Sequence, residues 1–171
     1  MSLDIIKHHP VMANEVLNYI TNNKTIIDCT FGGGGYSSRI LKKFKESYLI
    51  GLDRDNNTLE HALKLKKNYF DRFQFNNLKF SQIHKVKEFK STDFFLFDLG
   101  VSNFQLKNME RGFSFESKSK LDMGMGLNTF NAYDLIEKVS EKNLKNILKF
   151  FGEEKFASQI SKKIIEYRNN E

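Results

Sequence analysis

At 171 residues, with 40% hydrophobic and 28% charged content, the chain has the size and composition of about one globular domain. Its longest apolar block, Phe94-Phe95-Leu96-Phe97, is strand-length and far short of the roughly 18 residues a membrane span needs. The N-terminal run Met1-Ser2-Leu3-Asp4-Ile5-Ile6-Lys7 lacks the apolar core of a secretory signal, and the single cysteine, Cys29, fits a reducing compartment, so a membrane protein and a disulfide-stapled secreted chain are both excluded.

In chain order, Met12, Val16, Leu17 and Ile20 recur at helical spacing and predict a first helix. Residues 25–31 read as a first strand, followed by Gly32-Gly33-Gly34-Gly35. Tyr36, Ile40, Leu41 and Phe44 predict the next helix, 47–53 a second strand, and Leu59, Ala62, Leu63, Tyr69 and Phe70 a further helix. A third strand is expected near 73–75. Residues 93–98 read as a fourth, apolar on both faces as a covered parallel strand should be. This alternation argues for βα units and a parallel sheet.

After residue 100 the pattern changes. Residues 101–130 read as loop, and helices are expected near 131–139, 141–151 and 153–168. Leu144, Ile147, Leu148 and Phe151 form an apolar stripe on the second of these, with Ser140 as its N-cap. No strand is predicted here. A doubly wound sheet usually has five or more strands, so four strands with a helical tail describe an incomplete domain.

The net charge of +6 permits a polyanionic partner. The basic groups Arg39, Lys42, Lys43 and Lys45, and Lys64, Lys66 and Lys67, fall on predicted helices, where they read as solvated faces. His8 and His9 are accompanied by no Cys or carboxylate cluster at ligand spacing, so no metal centre is expected. Ser37, Ser38 and Ser102 lack the elbow motif of a serine hydrolase.

Three segments carry candidate chemistry. In Asp28-Cys29-Thr30-Phe31-Gly32-Gly33-Gly34-Gly35-Tyr36-Ser37, glycines between a strand and a helix let the chain turn sharply and let a ligand approach the backbone. Asp53 ends the second strand about 20 residues on, where this architecture places an acid against ribose hydroxyls. Asp98-Leu99-Gly100-Val101-Ser102-Asn103-Phe104-Gln105 follows the fourth strand, with Asp98 positioned to accept from an amine and Gln105 to touch a ligand. Arg111-Gly112-Phe113-Ser114-Phe115 and Leu121-Asp122-Met123-Gly124-Met125 bring an exposed cation, aromatics and methionines, and read by themselves as loop packing. Together the segments predict a nucleoside cofactor without choosing one. A nicotinamide-dependent oxidoreductase built on the same glycine turn is the enzymatic alternative.

These segments, with His9-Pro10-Val11, Leu52-Asp53-Arg54-Asp55 and Phe151-Gly152-Glu153-Glu154, occur in the same order in the RsmH (MraW) family, which the chain resembles from His8 to about Arg168. The resemblance implies an S-adenosyl-L-methionine-dependent methyltransferase acting on the exocyclic N4 of a cytidine in 16S rRNA. It implies the small ribosomal subunit as partner, no membrane association and a cytoplasmic location. The implied fold is a class I, Rossmann-like α/β sheet, incomplete after strand four, with an inserted helical domain. Residues 1–105 would form the N-terminal part of the cofactor domain and 106–171 the loop-rich helical insertion. Cofactor contacts are implied at Gly34, Gly35, Tyr36, Asp53, Phe80, Asp98 and Gln105, with Asp98 also the catalytic candidate. Tyr36 stands where the family usually has His, and Gly124 where it usually has Arg. The family's chain continues well beyond this point, so an N-terminal fragment is expected, and binding of cofactor or RNA without turnover is the non-enzymatic alternative.

Overall fold

The computed structural model describes residues 10–22, 24–127 and 130–170. Residue contacts divide the chain into two units, Met1–Lys107 with Met125–Leu127, and Asn108–Gly124 with Asn128–Glu171.

The first unit is a parallel sheet with helices on one face. Its strands β1 (Thr25–Asp28), β2 (Tyr48–Asp53), β3 (Phe73–Asn77) and β4 (Phe94–Leu96) stand in the order β3-β2-β1-β4. Successive strand residues point to opposite faces. Ile26, Leu49, Phe73 and Leu96 therefore join Leu17 of α1 (Ala13–Tyr19), Ile40 and Leu41 of α2 (Gly35–Lys43) and Leu65 of α3 (Leu59–Asn68) in one core. Ile27, Ile50 and Leu52 face the other way and meet Val86. Each fully buried aliphatic side chain contributes about 1.5–3 kcal/mol.

Three sequence expectations change in this unit. The first strand ends at Asp28, not at 31, because the Asp28 carboxylate accepts the Thr30 amide at 3.3 Å and turns the chain out of the ladder. The fourth strand is not covered on both faces: Phe95 is 38% and Phe97 48% exposed. β4 is an edge strand, and the face carrying Phe95 is covered by short 3-10 turns, Phe80–Lys85 and Phe89–Ser91, which pack mainly over β1 and β2. Finally, the stretch read as loop contains α4 (Asn103–Lys107), only five residues long and too short to show a helical period.

The second unit is helical, with α5 (Ala132–Lys138), α6 (Glu141–Phe151) and α7 (Ala157–Asn170). The Asn131 and Ser140 side chains accept amide hydrogen bonds at the starts of α5 and α6. Leu144, Ala157 and Ser161 are buried where α6 and α7 pack together. From α7, Arg168 donates to the carbonyls of Ile136, Glu137 and Val139, capping the end of α5 with positive charge. The last helix begins later than its apolar pattern suggests. Glu153 adopts φ 51°, which breaks the helix between Phe151 and Ala157.

Candidate active site

Strand order reverses between β1 and β4, and open α/β sheets form a crevice beyond the carboxyl ends of their strands at such a point. Here the crevice has a volume of about 410 Å³. Its walls come from the turn after β1, the end of β2, Phe80, the segment after β4, Gln105 and Met125.

Carboxylates mark the ends of three strands. Asp28, at the end of β1, is fully buried and receives the Ser37 hydroxyl at 2.7 Å and the Thr30 amide. Burial pushes its carboxyl up to about 6 against the pull of those two hydrogen bonds, and the charges of Asp53 and Asp98 add to the rise. Asp53, at the end of β2, accepts the Gly32 amide at 2.7 Å and the Asp55 amide at 2.9 Å. Burial raises its carboxyl too, and the amide donors at Asp55 and Gly32 oppose that rise. The Arg54 amide adds a third such donor; a carboxylate has about four lone-pair directions, so one remains on Asp53 for another donor. Asp98, just past β4, is exposed, and its carboxylate has no hydrogen-bond partner among the described residues. Its amide donates to Thr30 Oγ1 at 2.8 Å, which ties the β4 segment to the glycine turn.

Gly35, Tyr36, Asp53, Phe80, Asp98 and Gln105 all line this crevice. Phe80 is half exposed and packs edge-to-face with Phe97 at 5.9 Å, leaving a flat apolar wall. The Tyr36 hydroxyl donates to the Val11 carbonyl. Gln105 is spanned at both ends: its amide nitrogen donates to Asp55 and its oxygen accepts the Ser102 amide, each at 2.8 Å. It holds the loop after β4 in place. Gly34 lies elsewhere, as the N-cap of α2 with φ 75°, lining a separate cleft on the other side of the turn. Gly33 borders both spaces, and a Cβ built on it meets nothing within 4 Å.

Sequence reasoning assigns no role to the buried Asp28 or to the link from Thr30 to Asp98, and it reads Met125 as loop packing, whereas Met125 lines the crevice. An acid as the last residue of a strand before a glycine turn was the available signal for Asp28. Arg111 is corrected: it is 8% exposed, not an exposed cation, and it donates to the Gly124 carbonyl. Its guanidinium lies 5.3 Å from the Phe113 ring centre, so the cation is used in packing the second unit. His8 and His9 lie outside the described residues. Cys29 is buried and its thiol is pushed up to about 12, which removes it as a nucleophile.

A bare glycine turn facing strand-end carboxylates at a switch point is the layout of a ligand-binding α/β protein. The sequence model of the MraW methylase family matches residues 5–171, and the chain belongs to that family. It is 43% identical over 164 residues to the ribosomal RNA small subunit methyltransferase H of Rickettsia canadensis, covering 94% of this chain and 53% of that one. To the protein of the same name from a Sulfurihydrogenibium species it is 42% identical over 170 residues, covering 96% and 58% respectively. The chain therefore spans a little over half the length of these curated relatives. A solved structure described as a rRNA methylase from Streptococcus thermophilus overlaps 48% of this chain and 51% of its own at 15% identity and a TM-score of 0.38, too loosely to bear on the fold.

Proposed function

We propose that the chain belongs to an enzyme that methylates the exocyclic N4 of a cytidine in 16S rRNA, with S-adenosyl-L-methionine as donor. The fold is read as a class I methyltransferase sheet. Residues 1–105 form the N-terminal part of its cofactor domain and 106–171 a helical insertion. The small ribosomal subunit is the partner and the cytoplasm the location. Among the described residues no helix is long and apolar enough to cross a membrane.

The observation that carries this reading is the acidic crevice beside bare glycine backbone. Asp53, Asp98 and Arg54 line it and Asp28 lies beneath, a set with net negative charge that favours a ligand with positive charge over one led by a pyrophosphate. The residues present suit the donor. Main chain at Gly33 leaves room for an amino-acid tail, Asp53 keeps a lone-pair direction for a ribose hydroxyl, and Phe80 offers a flat face to a purine. S-adenosyl-L-methionine supplies, when bound, a methyl group activated by its sulfonium. The protein's part is alignment. A cytosine amine is a weak nucleophile because its lone pair is delocalised into the ring. Asp98 accepts one N–H of that amine and so makes the lone pair more available, while Thr30 and Gln105 fix the segment that carries it. The target base must be unstacked to enter.

Calorimetric titration with S-adenosylhomocysteine and, separately, with NAD tests the reading. Saturable binding of the first alone is expected, and binding of NAD alone would overturn it.

A further inference from the structure

Across the glycine turn from the crevice, the first unit carries a second and larger cleft of about 970 Å³. One wall presents Arg39, Lys42 and Lys43 from α2, and the other His61, Lys64 and Asn68 from α3. Among the described residues no carboxylate lines it. The sequence distributes these cations over two helices as ordinary solvated faces, and the placement of α2 and α3 on the same face of the sheet brings four of them to the walls of one groove. Lys45, Lys66 and Lys67 lie outside it. The Lys43 ammonium is anchored, donating to the Leu17 carbonyl at 3.3 Å and resting 5.1 Å from the Phe44 ring centre. Lys64 pairs with Glu60 on the exposed side of α3. Lys42 is exposed and has no ion pair among the described residues.

We propose that this groove is a track for the phosphate backbone of single-stranded RNA flanking the target base, an inference that rests on the RNA reading above. Two features favour RNA over an acidic protein segment. Gly33 and Gly35 border both the groove and the crevice, so a strand whose base enters the crevice has its neighbouring phosphates at the groove's mouth. His61, whose ring also meets Phe104, and the half-buried Tyr69 line the same groove beside the cations, and aromatic rings next to basic groups are the combination that single-stranded nucleic acid uses.

The test is fluorescence anisotropy with a labelled oligouridine of about 20 nucleotides, long enough to span such a groove. Wild type is compared with Lys42→Ala/Lys64→Ala and with Lys87→Ala, which removes an exposed lysine outside both cavities. The double variant is expected to bind about 10-fold more weakly at 0.1 M salt, with a log–log salt slope shallower by about 1.4, or roughly 0.7 for each lost phosphate contact. Its thermal midpoint and its affinity for S-adenosylhomocysteine are expected to stay those of wild type, and Lys87→Ala to bind as wild type. An unchanged salt slope in the double variant overturns the proposal. So does an equal loss in Lys87→Ala, or displacement of the RNA by polyglutamate as readily as by unlabelled oligouridine. Binding of S-adenosylhomocysteine without RNA defeats the groove and spares the donor reading. RNA binding that depends on these lysines, without donor binding, does the reverse.

Discussion

The ring of Phe31 fills the space that a side chain on Gly51 would need: a Cβ built there comes within 2.7 Å of Phe31 Cδ2. The far edge of the same ring meets Gly34, whose added Cβ would lie 2.8 Å from Cζ. Phe75 and Phe73 hold the ring at centroid distances of 5.2 and 5.7 Å, so it has no room to swing aside. Phe31 is thus a wedge between β2 and the glycine turn, and it sets how the turn sits over the sheet. Gly51→Ala is expected to destabilise the chain by about 1–3 kcal/mol through overpacking. Gly34→Ala should cost roughly 1–2 kcal/mol more, because φ there is 75°. Urea unfolding of the two variants measures both, and wild-type stability in Gly51→Ala would dismiss the wedge.

Asp28 makes the stability of the fold depend on pH in a defined direction. Its carboxyl is raised in the folded state, from 3.8 to about 6, so the folded chain holds a proton that the unfolded chain releases earlier. The group's contribution is complete below the lower value and is lost as pH climbs through the higher one, by about 3 kcal/mol in all. Asp28→Asn keeps an acceptor for Thr30 and a partner for Ser37 while removing the titration. Thermal midpoints from pH 4 to 7 should fall less for the variant than for wild type. Parallel curves would show that Asp28 titrates normally.

Much of this unit was legible in the sequence, because β1 and β2 are short apolar runs bounded by strong turn signals. Four glycines after a strand, and an acid about 20 residues on, located the crevice without coordinates. Other features depend on partners distant in sequence. The exposure of Phe95 follows from which elements cover β4, and no local pattern records that. Gly34 and Gly35 look equivalent as letters, yet Gly35 borders both spaces while Gly34, at φ 75°, lines only the cleft away from the crevice. The gathering of Arg39 with Lys64 arises only when α2 and α3 settle on the same face of the sheet, and the burial of Arg111 only when the 111–124 loop closes on itself.

The hydrogen bond from the Asp98 amide to Thr30 Oγ1 assigns the two residues separable roles. In the full-length enzyme proposed above, Asp98→Asn should lower kcat on small-subunit RNA by on the order of 100-fold, the scale of one lost charged hydrogen-bonding group in the transition state. RNA affinity should hardly change. Thr30→Val leaves the carboxylate in place and loosens its mooring, so a loss of about 10-fold is expected, on the scale of one hydrogen bond. Equal turnover in wild type and Asp98→Asn would take Asp98 out of the chemistry.

The proposed function stands on the Asp53 carboxylate holding the donor's ribose while the bare turn beside it holds the amino-acid tail. Calorimetric titration of wild type and Asp53→Ala with S-adenosylhomocysteine tests it most directly, with thermal unfolding of both to confirm that the variant is folded. Wild type should show saturable one-site binding, and the variant an affinity roughly 10- to 100-fold lower, the worth of one charge-assisted hydrogen bond. Equal affinity in the two proteins, or none in wild type, would contradict it.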